Sequence, residues 1–544
     1  MILIARKTLD ANFASTKELL DMATTERIIP ATIADDGSAH YASVMSKPDD
    51  STAVCYMVPN RVIPVIFVPG VMGSNLIAIK GINKGSPVWL VNGGAGAAKA
   101  WLWRGPETRK QKLDPKTTDV YEGGDIPSGT AQSVAELRRR GWGAVAKMSY
   151  GTFLPFLENA LNDAHECKAG FRAGLMKELV AEAPGVSVLS HDEVALSYKY
   201  YMPVHAVGYN WLQSNSDSAK HLAAKIKEFT DYYKKQNKLC EKVIIVTHSM
   251  GGLVARYYSE VDGHRDKVLG IVHGVMPTTG SATAYKRVTT GSEGSAGRVL
   301  GPDNSTMTPV FAQSPGPLQL LPAVEYGMGW LKLRNGKEQT SLPVTDPYSE
   351  VYLQRGQWWS LVNDKLINPM DPAKKNIDAD WDAYTSLIND DVQPFHEAMR
   401  GKFHRATYAF YGNDEKHKTW GDVVWESKLN PVLKWTDSYA KVDHLENGQV
   451  LQDSGTGSQS LLQRSGRDPI NMQYNLMPPS ENGDGTVPIR SGRAPTGQSG
   501  VQACVAYPGV DHEGAYKNRP QHYFALWAVT RIVSNVKGTV LEYK

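Results

Sequence analysis

Apolar residues in this chain gather in short runs between longer polar stretches, and the spacing inside each run predicts the element it forms. Val62–Val68 (VIPVIFV), Pro203–Val207, Lys242–Val246 (KVIIV), Val268–Val272 (VLGIV), Ala406–Tyr411 (ATYAFY) and Val501–Tyr507 are β-rich runs. Runs of this kind are buried on both faces of a parallel sheet. Pro64 has no N–H to give a ladder, which predicts an outer place for the first strand. Between the runs, Leu222, Ile226, Phe229 and Tyr233 recur at spacings of 4, 3 and 4 behind Asn215-Ser216-Asp217-Ser218, an N-cap cluster. Phe153, Phe156, Leu157, Ala160 and Leu161 make a second helical stripe, and Leu253–Tyr258 and a segment starting near Gln521 read as two more helices. Strands alternating with helices predict an α/β fold with a mainly parallel central sheet and helices on both faces.

The alternation fails in four places. Residues 1–60 lack periodicity and read as an N-terminal extension. Residues 81–130, with Trp89, Trp101 and Trp103 among Gly, Lys and Thr, read as a long surface loop. Residues 281–400 are rich in Pro and Gly and read as an inserted cap or lid; residues 412–480 read as a second, loop-rich insertion. The core is therefore expected in two parts, 61–280 and 401–544. Trp330, Trp358, Trp359 and Trp381 in the first insertion suit either a lipid-facing lid or aromatics that pin long loops, and sequence leaves both open.

Composition narrows the partner. The chain has 544 residues, 41% hydrophobic and 21% charged, with 49 Gly and 31 Pro, which excludes disorder, coiled coil and collagen. A net charge of +3 over this length argues against a nucleic-acid partner. Cys55, Cys167, Cys240 and Cys504 form no CxxC and have no His at zinc spacing, so no metal or other cofactor is expected. Met1-Ile2-Leu3-Ile4 precedes Arg6 and Lys7, the reverse of a secretory signal, and no stretch reaches the about 20 apolar residues of a membrane span. The expectation is a protein without signal peptide or transmembrane segment, cytoplasmic in its producer, meeting a membrane at most at its surface.

The chemistry enters with a strand, a turn and a helix: KVIIV, then Thr247-His248-Ser249-Met250-Gly251-Gly252, then Leu253–Tyr258. This is the context of a nucleophile elbow, in which Ser249 sits at the tip of a tight turn. The positions two before and two after the serine must be small; Gly251 fits, and Thr247 stands where Gly is usual. A serine in such a turn can also merely cap the helix, so the catalytic reading, which the elbow favours, rests on finding partners. A serine nucleophile needs a base and the base needs an acid, in this fold class in the chain order Ser, Asp, His. Asp484, in Asn482-Gly483-Asp484-Gly485-Thr486-Val487-Pro488, and His512, in the loop after the Val501–Tyr507 run, satisfy that order. Asp414 and His522 are the competing acid and base. Two N–H donors must hold the oxyanion: Met250, which follows the serine, and Met72, in the glycine-rich turn Pro69-Gly70-Val71-Met72-Gly73-Ser74, are the candidates.

Together, Val68–Leu76 (VPGVMGSNL), Ala206–Trp211 (AVGYNW), Thr247–Gly252 (THSMGG), Pro277–Ser281 (PTTGS), Leu320–Pro322 (LLP) and Gly483–Val487 (GDGTV) resemble the landmarks of α/β-hydrolases similar to lecithin-cholesterol acyltransferase and the GPI inositol-deacylase-like lipases. The resemblance runs from about residue 62 to 530. It implies acyl chemistry on lipid esters, with Ser249 as nucleophile, Asp484 as acid, His512 as base, and Met72 and Met250 as oxyanion donors. Asn210 and Leu212 depart from the family's usual Asp and Arg. The chain is also similar to bacterial type VI secretion phospholipase effectors, which implies a membrane phospholipid substrate, a secretion apparatus, an immunity protein and release by a non-Sec route. The expected activity is that of a serine lipase of phospholipase A type. A lipid acyltransferase, a carboxylesterase of other range and a catalytically dead lipid-binding module remain as alternatives.

Overall fold

A computed structural model describes residues 3–5, 26–34, 36–42, 52–90, 101, 104–163, 169–293, 299, 301–428 and 441–543. Trp103, Cys167 and most of the extension expected at 1–60 lie outside them. Six strands form the central sheet in the order Val204–Ala206, Val65–Val68, Val243–His248, Val268–Gly274, Thr407–Gly412, Val501–Tyr507. Every pairing is parallel. The β-branched runs suit this place because successive side chains leave opposite faces and both faces are covered. Val65, Phe67, Ile244 and Val246 pack into one core with the helices Phe153–Leu161 and Arg519–Ile532. Ile66, Val68, Val243 and Ile245 pack into another with Asn215–Lys235 and Gly251–Glu260.

The first strand is not an outer one. It lies second in the sheet, paired on both sides, because Pro64 precedes the ladder and only its carbonyl is used, accepting from the Ile244 N–H at 3.0 Å. Residues 81–130 are likewise not one surface loop. Leu76–Ala78, Pro87–Trp89 and Thr118–Val120 form a small antiparallel sheet, Pro106–Lys112 is helical, and Trp89 and Trp101 are buried with their rings 5.5 Å apart.

Chain inserted after Gly274 and after Gly412 builds one second body. Its six-stranded sheet runs Glu338–Leu342, Leu331–Asn335, Val423–Ser427, Asp468–Leu476, Ser458–Ser465, Gln449–Asp453. Leu331–Asn335 from the first insertion pairs with Val423–Ser427 from the second, and both contribute to a shared core around Trp330, Trp358 and Trp425. Among the described residues of 412–480, the stretch expected to be loop-rich, strand therefore predominates. Trp358 and Trp359 are 4% and 5% exposed and donate to the Leu445 and Glu446 carbonyls, so they pin loops inside this body and do not face lipid.

Several histidines are buried in the fold. Burial pushes the His248 and His273 imidazoles down to about 3, and lowers those of His205 and His396. Below their ordinary value of 6.5 the unfolded chain takes up protons that the folded chain refuses, so stability present above that pH is lost as pH falls toward 3. Unfolding free energy from denaturant titration, and the midpoint with it, is expected to fall between pH 6.5 and 5 by about 1.4 kcal/mol per pH unit for each of His248 and His273. A midpoint flat across that range contradicts this reading.

Candidate active site

The strand Val243–His248 stops at a turn whose tip is Ser249, with φ of 51°, and the helix Gly251–Glu260 starts two residues later. A non-glycine residue in the left-handed region carries strain of about 1–3 kcal/mol, which persists only where the surroundings over-determine it. Here the Ser249 N–H donates to the Gly274 carbonyl at 2.9 Å, and the Gly252 N–H to the Ser249 carbonyl at 2.9 Å. Gly251 must be glycine: a Cβ there would lie 2.4 Å from the Pro69 carbonyl oxygen and 2.5 Å from that of Val68. Thr247, the departure on the other side, is fully buried with its Oγ1 2.9 Å from His273 Nδ1. The hydroxyl thus gives a buried imidazole a partner, which glycine could not do.

His512 Nε2 lies 2.8 Å from Ser249 Oγ, and His512 Nδ1 lies 2.8 Å from Asp484 Oδ2. The other carboxylate oxygen accepts from the Thr486 N–H at 2.9 Å and the Val487 N–H at 2.7 Å, which fixes the Asp484 side chain in its turn. Asp484 also holds the histidine's backbone, its carbonyl accepting from the His512 N–H at 2.8 Å. The Asp484 side chain is 1% exposed and that of His512 14%, so the pair is shielded from bulk water. Asp414 does not reach His512. Its Oδ2 sits 2.9 Å from His417 Nδ1 and its Oδ1 accepts from the Lys416 N–H. His522 faces the Tyr516 carbonyl at 2.8 Å and stacks on Phe156, away from the serine's partners.

The turn after the first strand is also strained, with Met72 at φ 62°. Trp89 Nε1 donates to the Met72 carbonyl at 2.9 Å and the Gly73 N–H to that of Gly70 at 3.0 Å. Among the described residues, the Met72 and Met250 N–H groups have no backbone acceptor. Gly70 lies against the elbow, since a Cβ on it would come within 2.9 Å of both Ser249 Cβ and His248 Nδ1. Asn210 is buried and donates to the Pro115 and Thr118 carbonyls, and Leu212 is fully buried in the core, so these two departures are satisfied in their places.

Sequence reasoning missed three side chains that shape this site. Tyr150, His248 and Trp89 bond to its loops. His248 stands beside the serine in the motif, a signal that could have been used. Tyr150 and Trp89 carry none, because only the fold brings them near.

An all-parallel sheet, a serine on a strained strand-to-helix turn, and an aspartate and a histidine from later loops in that order define the α/β-hydrolase fold. The model of one family, the PGAP1-like alpha/beta domain, matches residues 210–290, which contain the serine turn. The chain is also similar to one in the crystal structure of the Tle4-Tli4 complex, at 29% identity and a TM-score of 0.72. That match covers 88% of this chain and 99% of the other. None of the curated proteins matches the sequence.

Thr247→Val is expected to destabilise the fold by about 1–3 kcal/mol, because it strips a buried imidazole of its partner, while Thr247→Ser stays near wild type. Denaturant titration of both variants checks this, and equal stability of Thr247→Val and wild type contradicts it.

Proposed function

We propose that this protein is a serine lipase that hydrolyses acyl esters of glycerophospholipids. The observation that carries the reading is the continuous hydrogen-bonded line from Ser249 through His512 to Asp484, at 2.8 Å for each step. In this reading Ser249 Oγ attacks the ester carbonyl while His512 Nε2 takes its proton. Asp484 holds the Nδ1–H tautomer and stabilises the imidazolium that forms. The free N–H groups of Met72 and Met250 receive the oxyanion of the tetrahedral intermediate, where each such donor is worth about 2.7–4 kcal/mol. His512 then passes its proton to the leaving alcohol, and a water deprotonated by His512 releases the fatty acid.

The lipid class is supported by the PGAP1-like match and by the motifs shared with lipid hydrolases and acyltransferases. The similarity to a chain solved in the Tle4-Tli4 complex supports a further part of the proposal. In it, the protein is an effector delivered by a type VI apparatus to act at the membrane of a target cell, and an immunity protein protects its producer. Among the described residues no helix is long and apolar enough to cross a membrane, which suits a protein that meets its substrate from the water side.

Mass spectrometry of mixed phospholipid vesicles is expected to show free fatty acid and lysophospholipid with wild type. Ser249→Ala and Asp484→Asn should each release them at least about 10⁴-fold more slowly. Release undiminished in Ser249→Ala overturns the assignment. When directed to the bacterial periplasm, wild type should arrest growth and Ser249→Ala should not; harmless wild type removes the effector role.

A further inference from the structure

Three loops must stay in register for the proposed chemistry: the Pro69–Gly73 turn, the Ser249 turn and the loop that carries His512. One buried relay of hydrogen bonds crosses all three. The Gly70 N–H donates to Tyr150 Oη at 3.1 Å, Tyr150 Oη lies 2.9 Å from His248 Nδ1, and His248 Nε2 lies 2.8 Å from the His512 carbonyl oxygen. Its direction follows from valence. A carbonyl only accepts, so His248 Nε2 carries the proton; a neutral imidazole then has a bare Nδ1, so the Tyr150 hydroxyl must donate to it. Burial keeps His248 neutral, with its imidazole pushed down to about 3, and raises the Tyr150 phenol above its ordinary value.

We propose that Tyr150 and His248 are positioning residues that fix the oxyanion turn and the His512 backbone relative to Ser249. With the His512 N–H bound by the Asp484 carbonyl and its C=O by His248, both ends of the catalytic histidine's main chain are held. The backbone from which its ring reaches Ser249 is thereby held, while the Asp484 carboxylate at Nδ1 orients the ring itself. The Tyr150 end acts on the oxyanion side: Gly70, which it binds, is two residues from Met72 and touches the Ser249 Cβ region. A neutral His248 also matters for charge. Its ring centroid is 5.3 Å from that of His512, so a second cation there would oppose the imidazolium formed during acyl transfer.

This inference rests on the lipase reading, and its test separates the two. Full-length wild type, Tyr150→Phe, His248→Leu and His248→Gln are compared on a soluble short-chain nitrophenyl ester, with thermal midpoints confirming that each is folded. Glutamine offers one N–H donor and one acceptor without a titratable charge, so it can replace the neutral imidazole. Expected are kcat losses of about 10-fold for Tyr150→Phe and about 100-fold for His248→Leu, with KM within about twofold, because misplacement of reacting groups acts on turnover. His248→Gln should recover to within about fivefold of wild type. The inference is overturned if folded Tyr150→Phe and His248→Leu turn over like wild type, if their losses lie in KM, or if His248→Gln is as slow as His248→Leu. Wild type inert toward the ester and toward phospholipid instead removes the lipase reading, and this inference with it.

Discussion

The site depends on how closely two backbone segments approach each other. The helix after Ser249 starts with a glycine pressed against the Val68 and Pro69 carbonyls, and Gly70 in turn lies against the serine. Each approach is possible only without a side chain. Together they set the Met72 turn beside the left-handed Ser249 turn, so that the serine and the Met72 and Met250 N–H groups proposed as oxyanion donors come from two strands that are neighbours in the sheet. The strain at Ser249 is offset by the surrounding parallel ladder, whose Gly274 carbonyl takes the serine's own N–H.

The sheet brings together residues far apart in sequence and leaves room for a large insertion. Val268–Gly274 pairs directly with Thr407–Gly412, and Thr407–Gly412 with Val501–Tyr507, so the chain between them can leave and return without breaking the register. What leaves is not slack. Both insertions contribute strands to one second sheet, and among the described residues their tryptophans lie in its core. Any contact with a lipid surface must therefore come from other groups than Trp358 and Trp359.

Much of the core was legible in the sequence because parallel strands covered on both faces read as unbroken β-branched runs. The elbow, Asp484 and His512 were legible because glycine-flanked turns at strand ends have few other uses. The second sheet was not. Gln449–Asp453 is exposed throughout, and Ser458–Ser465 carries polar residues on both faces, so neither shows an apolar run. Trp89 and Trp101 misled in the opposite sense, because a loop-like composition conceals burial that only tertiary packing supplies. Pro64 pointed to an edge since its position just outside the ladder is invisible without the register. Tyr150 had no local signal at all: its hydroxyl is recognisable as part of the site only once Gly70 and His248 are seen on either side of it.

Ser249 is proposed as a nucleophile poised by His512. Intact-protein mass spectrometry after reaction with a fluorophosphonate, followed by peptide mapping, tests it most directly. One adduct per chain is expected, on Ser249, formed rapidly in wild type and almost not at all in His512→Ala. An unmodified Ser249, or an adduct formed equally fast without His512, would contradict it.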